Sequence, residues 1–480
     1  MNTSTLPPLP PPTPRFGFGE SLQHSKFLRV LVLGFLTLLL LIPVGSIRDV
    51  IVEREQTRNS AKAEIAQQWG GAQTVMGPFL VLPYRTYRDV VLKNGKTVKE
   101  ESGTYYGVLL PDELSITAKQ ESEYRRRGIF TVPVYRSTAR LKGSYLNPTL
   151  IALGVADENI IWSKAELVMS ISELRALTGN AQVLVGDKAI TFEPGSGQLS
   201  LAPTVQDKAL ATPCCGAETA PEQTAGVIHA PLSLTMDSRQ VSFELPLSFN
   251  GSEQLQFTPL GRVTTVAMQG DWPSPSFNGA YLPRTREVLG EGKGFTAAWE
   301  IPDLSRSFGQ VWRGDEIPYK ALNASAFGVR LFPAVDEYTM AHRAVKYAQL
   351  FIVMTFALWW LFEVIGGIKL HLLQYLLVGA GLCAFYLLQL ALSEHFGFRL
   401  AYLVASAAVT VQITLYSWSA LHSLKRAAGV GAAMGALYSY LFSVLREENY
   451  ALLTGAIGLF LLLSLIMWLT RRVEWGAGKA

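Results

Sequence analysis

Between residues 347 and 470 the chain is a succession of long apolar runs, with nearly all of its charge at the breaks between them. A helix crossing a hydrocarbon core of roughly 30 Å needs about 20 apolar residues. Five runs meet that requirement, at 348–365, 372–392, 400–421, 427–445 and 451–470. A sixth, "FLRVLVLGFLTLLLLIPVGSI" at 27–47, follows Lys26 and carries Arg29 near its start. It has the basic front of an export signal, but it is long and lacks an A-x-A cleavage site, so an uncleaved signal anchor is expected. The run at 427–445 is rich in Gly and Ala, which suits a closely packed interior helix.

Basic residues orient these helices. With the N-terminus inside, the cytoplasmic segments hold Arg15, Lys26, Arg29, Lys369, Lys425, Arg426, Arg471, Arg472 and Lys479, whereas the opposite short loops hold Arg399 and Arg446. This nine-to-two bias follows the positive-inside rule and places residues 48–346 outside the cytoplasm. Residues 1–26, with "PPLPPPTP", read as a disordered cytoplasmic tail, and 471–480 as a second one.

The exported region has a different character. "RDVIVEREQTRNSAKAEIAQQW" (48–69) lacks Pro and Gly and extends the first helix as a stalk. Beyond it "VSFELPLSF" (241–249) alternates apolar and polar residues, and 130–145 and 255–272 do so in part, as strands with one buried face. Pro133, Pro246 and Pro259 within these runs point to edges or bulges. Turn signals such as "KNGK" and "EPGSG" separate the strands, and 167–177 and 305–310 read as short helices. The expected fold is an α+β membrane protein: a signal-anchor helix, a large sandwich-like β-rich domain and a C-terminal bundle of five helices. One or two lobes remain open, with 211–226 as the best linker.

Signatures of catalysis are missing: the chain has no H-E-x-x-H, G-x-S-x-G or G-x-G-x-x-G after a strand. "GEGKGFT" (290–296) has Gly after Lys293 where a phosphate loop needs Ser or Thr, and reads as a turn. His229 stands alone in a strand pattern. No Cys/His spacing suits a metal; Cys383 lies in an apolar run, and the adjacent Cys214 and Cys215 read as loop thiols or as a strained or intermolecular disulfide. No cofactor is expected. The net charge of +4 without a basic block argues against a nucleic-acid partner.

Three places remain as candidate sites. The break "SEHFGFR" (393–399) reads as a hairpin loop holding Glu394, His395 and Arg399, either a connection, a binding or pH-sensitive site, or a catalytic pair. "GDWPSPSFNGAYLPRTREV" (270–288) reads as an ordered loop or a groove built on Trp272, Phe277, Tyr281 and Arg284. Within the apolar runs Glu363 and Gln389 are polar, and Glu363 is expected to pair with Lys369 or His371.

"LLIPVGSIRDVIVER", "MGPFLVLP", "GDWPSPSFNGAYLP", "AHRAVKYAQLFIVMTF", "QYLLVG" and "FYLLQLALSEHFGF", in this order over residues 28–470, resemble the CreD family of bacterial inner-membrane proteins. The resemblance implies an inner-membrane protein linked to cell-envelope integrity, expressed under a two-component system that answers nutrient and envelope conditions. It brings no catalytic residues, and it makes "LALSEHFGF" a family signature. The expectation is a non-enzymatic protein whose exported domain binds or braces envelope components, with membrane lipid, other envelope proteins or amphiphiles as partners. The alternatives are a component that binds or moves a lipid or small amphiphile, and a membrane-surface enzyme using Glu394 and His395.

Overall fold

The computed structural model describes residues 26–93, 96–199, 226–289, 293–331, 336–366 and 370–446, with scattered positions from 453 to 471. Several expectations therefore fall outside the described residues: the Pro-rich leader, Asn94-Gly95 of the KNGK turn, Cys214 and Cys215 with nearly all of the 211–226 stretch, Lys369, most of 451–470, and the 472–480 tail. The chain divides into two compact units, Arg58–Ala334 and Met1–Thr57 with Val335–Ala480. Helix α1 (Lys26–Trp69) is unbroken and supplies the first helix of one unit and the stalk of the other.

Two sheets of nine and eight strands form the β-rich unit. Strand Gln73–Val91 is central to the first. Its stretch "VMGPFLVLPY" is buried throughout, with Ala165–Ile171 along one edge of the strand and Gln254–Phe257, then Thr97–Leu109, along the other. A strand covered on both faces reads as one apolar run, not an alternation. In the second sheet Glu113–Arg127 and Val263–Gly270 lie parallel and in register. Each points alternate residues inward: Leu114, Ile116 and Ala118 from one, Thr264, Val266 and Met268 from the other.

Both sheets feed one core, in which Leu80, Leu82, Leu167 and Met169 join Leu114, Ile116, Leu141 and Leu245. Full burial of each such side chain contributes roughly 1.5–3 kcal/mol. The two-lobe alternative is thereby corrected to a single sandwich. The chain itself stitches the sheets together: Gln240–Ser252 belongs to the second and Gln254–Phe257 to the first, with Glu253 at φ 62° making the corner. Pro246 sits past the short stretch in which its strand pairs on the second side, at Phe243 and Glu244, so its missing N–H breaks no ladder.

The expected helix at 167–177 is a second correction. Residues Ala165–Ile171 form a strand, and only Leu174–Ala176 turns as a 3₁₀ helix. A short apolar run has no period of its own, and "ELVMSI" went to the sheet because both of its faces are covered. The expected helix at 305–310 is likewise only the turn Asp303–Ser305. A short helix α2 (Tyr319–Ala324) lies near the end of the unit. The stalk end of α1 packs here too, Ile65 and Trp69 against Val132 and Val134, with the Arg125 guanidinium 4.1 Å from the Trp69 ring centre.

In the helical unit, α1 is followed by α3 (Glu337–Lys346), α4 (Ala348–Gly366), α5 (Leu372–Leu421) and α6 (Leu424–Arg446). Three described helices, α1, α5 and α6, are long and apolar enough to cross a membrane, and a fourth is completed if α3 and α4, bent by 45°, count together. Helix α5 has 50 residues and would measure about 75 Å if straight. It is folded in two. Gly397 has φ 75° and ψ 160°, and a Cβ on Gly381 would lie 3.8 Å from Ile413 in the far arm. The expected hairpin is present, but the expected loop at 393–399 is one glycine between helical residues. Glycine-poor α5 needs that residue because side chains rarely adopt such a backbone. Close packing in α6 also appears: a Cβ on Gly431 would meet Thr414 Oγ1 at 2.6 Å.

Candidate functional site

Helix α3 begins where the chain returns to the helical unit. Asp336 caps it, accepting from the backbone N–H of Tyr338 at 3.3 Å and from Thr339 Oγ1 at 2.8 Å. Three side chains of α3 then reach three different helices. Tyr338 donates its hydroxyl proton to Glu394 Oε1 on α5 at 2.7 Å. His342, one turn on, places Nε2 3.3 Å from Glu55 Oε2 on α1. Arg343 donates to the carbonyl of Leu445 on α6 at 3.4 Å.

Glu394 is the hub. Arg54 of α1 donates to it twice, from Nε to Oε1 and from Nη2 to Oε2, both at 2.8 Å. This forked geometry matches a planar guanidinium to a planar carboxylate. The Glu394 side chain is 12% exposed and that of Arg54 35%. Glu394 lies at the break between the two apolar runs of α5, outside both. Burial pushes its carboxyl up, but the hydrogen bonds of Arg54 and Tyr338 and the Arg54 charge outweigh this and hold it below the ordinary carboxylate value. The same contacts raise Arg54.

A second ion pair lies nearer the start of α1. Glu363 of α4, buried to 3% exposure, pairs with Arg29, accepts from Tyr375 Oη at 2.9 Å and from the Leu370 N–H at 3.3 Å. Arg29 also donates to the Leu370 carbonyl at 3.3 Å. Of the two expected partners, His371 instead caps α5, accepting from Leu373 N–H at 3.2 Å, and Lys369 lies outside the described residues. A buried carboxylate requires a charge and several donors at once, and Arg29 with Tyr375 and a backbone N–H supplies them. Arg29 and Arg54 lie about 38 Å apart along α1, close to the thickness of a bilayer.

Of the residues predicted in the break, only Glu394 enters this network. His395 and Arg399 are exposed, and His395 has the Phe396 ring, 6.4 Å away, as its ring neighbour. Glu394 and His395 share no hydrogen bond among the described residues, since neighbours in a helix point about 100° apart, but the His395 ring acts on the Glu394 carboxyl through its charge, in the same direction as Arg54. Gln389 is 1% exposed and its Nε2 has no hydrogen-bond partner among the described residues.

The 270–288 stretch is built of packed aromatics. Trp272 is 4% exposed and stacks near Tyr124, Phe277 meets Phe295 and Trp299 edge-on, and Tyr281 donates to the Ser305 carbonyl at 2.9 Å. Arg284 lies on the surface beside Glu300. His229 is a strand residue with Nδ1 3.1 Å from the Gly195 carbonyl. No three His, Cys, Asp or Glu side chains converge as metal ligands among the described residues.

Arg54, Tyr338 and His342 escaped the sequence reading. The signal available was their position: Arg54 follows the first apolar run, and Tyr338 and His342 share one face of α3 at i, i+4. No spacing rule joins Arg54 to Glu394 across 340 residues.

Comparison with known proteins fits this organisation. The family model described as inner membrane protein CreD matches residues 25–476. The chain belongs to the CreD family. Inner membrane protein CreD of Escherichia coli (strain K12) is 32% identical over 459 residues, covering 95% of each chain. The CreD match therefore takes in the first helix, the β-rich unit and the C-terminal helices together, with both ion pairs inside it. An inner-membrane family accounts for the three to four described helices of membrane-crossing length.

Proposed function

We propose that this CreD-family protein contributes to cell-envelope integrity as a non-enzymatic brace. In this reading six helices hold it in the inner membrane, both termini are cytoplasmic, and the β-rich unit faces the periplasm and binds or supports envelope components. One observation carries the reading. Glu394 ties together the helix that leads the chain out of the helical unit, through Arg54, and the helix that brings it back, through Tyr338. A carboxylate with both oxygens taken by a guanidinium and a phenol is built to hold helices, not to exchange protons with a substrate. The nine-to-two distribution of basic residues supports the orientation. The two ion pairs of Arg29 and Arg54 lie toward the two ends of the apolar run in α1, where a carrier of polar cargo needs charge at mid-depth.

The test is complementation. A strain lacking the gene, sensitive to an envelope stress, is given wild type, Glu394→Gln, His395→Ala or the swapped pair Arg54→Glu with Glu394→Arg, at equal membrane abundance. The brace reading expects loss with Glu394→Gln, full rescue with His395→Ala and recovery by the swap. Loss with His395→Ala at normal abundance overturns it and returns the break to the status of a reactive site.

A further inference from the structure

One part of the β-rich unit leaves its own core. Strands Gln73–Val91 and Thr97–Leu109 pair from Leu80 with Leu109 out to Val91 with Thr97. Up to Tyr84 the first strand is buried, but from Arg85 outward both strands are exposed on both faces. The result is a two-stranded ribbon without a covering layer, and such a ribbon gains little from its own packing.

Its side chains are sorted along its length. The shaft carries opposed charges in pairs, Arg85 with Glu101 at 3.8 Å and Arg88 with Glu100 at 3.0 Å. Lys99 continues that pattern across from Asp89, and the end itself, residues 90–98, carries Lys93 and Lys96 in the turn and no acidic residue. Val90 lies directly across from Val98, and Leu92 continues that face at i+2. Exposure reaches 68% at Val91 and 46% at both Leu92 and Val98.

We propose that the end of this ribbon is a lipid-docking element for a bilayer surface rich in acidic headgroups. Apolar Val91, Leu92 and Val98 enter the headgroup boundary, and Lys93 and Lys96 of the turn meet acidic lipid. Apolar side chains next to lysines are what an anionic interface rewards. Charge complementarity selects the occupant: a turn end with two lysines, and no acid from Val90 to Val98, suits an anionic sheet of headgroups.

Full-length protein, carrying Cys214→Ser and Cys215→Ser, is labelled with an environment-sensitive dye at Val91→Cys, with Leu92→Cys as a second labelling position; Cys383 is buried and stays. It is placed in nanodiscs of phosphatidylcholine alone or mixed with phosphatidylglycerol. The expected result is blue-shifted emission, quenched by lipid-borne doxyl groups, only with phosphatidylglycerol and reversed by high salt. Replacing one lysine by Gln lowers the ratio of embedded to aqueous dye about fivefold. Dye equally open to aqueous iodide in both lipids overturns the proposal. So does protection that persists in detergent micelles or in phosphatidylcholine alone, which would assign the tip to a second copy or another protein.

Discussion

Arg54 and Glu394, 340 residues apart in sequence, meet through two hydrogen bonds of 2.8 Å and join the first helix to the turn of a helical hairpin. Removing either partner leaves the other partly buried without its counter-charge. Arg54→Met and Glu394→Gln are each expected to destabilise the helical unit by about 1–3 kcal/mol. The charge-swapped double variant recovers part of that loss, as a thermal double-mutant cycle in detergent would show.

Acid should dissolve this contact in a defined direction. The Glu394 pKa is held below the ordinary value of 4.5 that applies in the unfolded chain. Its stabilisation is therefore complete above that ordinary value and is lost as pH falls through the lower folded value. The stability gap between wild type and Glu394→Gln should be constant near neutrality and close on acidification. Tyr338→Phe removes one of the contacts that lower the pKa, so it should move the closing point upward.

Gly397 supplies a test free of steric clash. A Cβ there meets nothing within 4 Å, yet φ is 75°. Gly397→Ala is expected to cost about 1–3 kcal/mol through backbone strain alone. Gly435→Ala, equally open but in regular helix α6, should be neutral or stabilising by about 0.5–1 kcal/mol. Equal effects at the two positions would contradict the turn at Gly397.

Glu363 is the more deeply buried acid, and Glu363→Gln strands Arg29 in the helical unit. A loss of about 3–5 kcal/mol is expected, larger than for Glu394→Gln, because so little water reaches the site. Replacing Arg29 and Glu363 together by Met and Leu should restore much of it, measured by thermal unfolding in detergent.

What could be read from the sequence follows from how local each signal is. The first apolar run, the stalk of α1 and the hairpin in α5 are written in consecutive residues, and each was legible. The strand Ala165–Ile171 was not, because its neighbours Gln73–Val91 and Gly226–Leu232 arrive from distant segments and cover both faces. Glu394 stood out as a charge between apolar runs, but its companion in sequence, His395, is not its partner in space. Arg54 and Tyr338 looked like ordinary members of a stalk and a connecting helix. Only the folded arrangement gives them a common target.

The pairing of α1 with late helices also sets a schedule. Arg29 and Arg54 leave the ribosome more than 300 residues before Glu363 and Glu394. At about 5–20 residues per second, synthesis of that interval takes on the order of tens of seconds. For that time the first helix sits in the bilayer with two arginines whose counter-charges do not yet exist. A nascent chain released early keeps them so, without the two carboxylates that the finished fold brings to that helix.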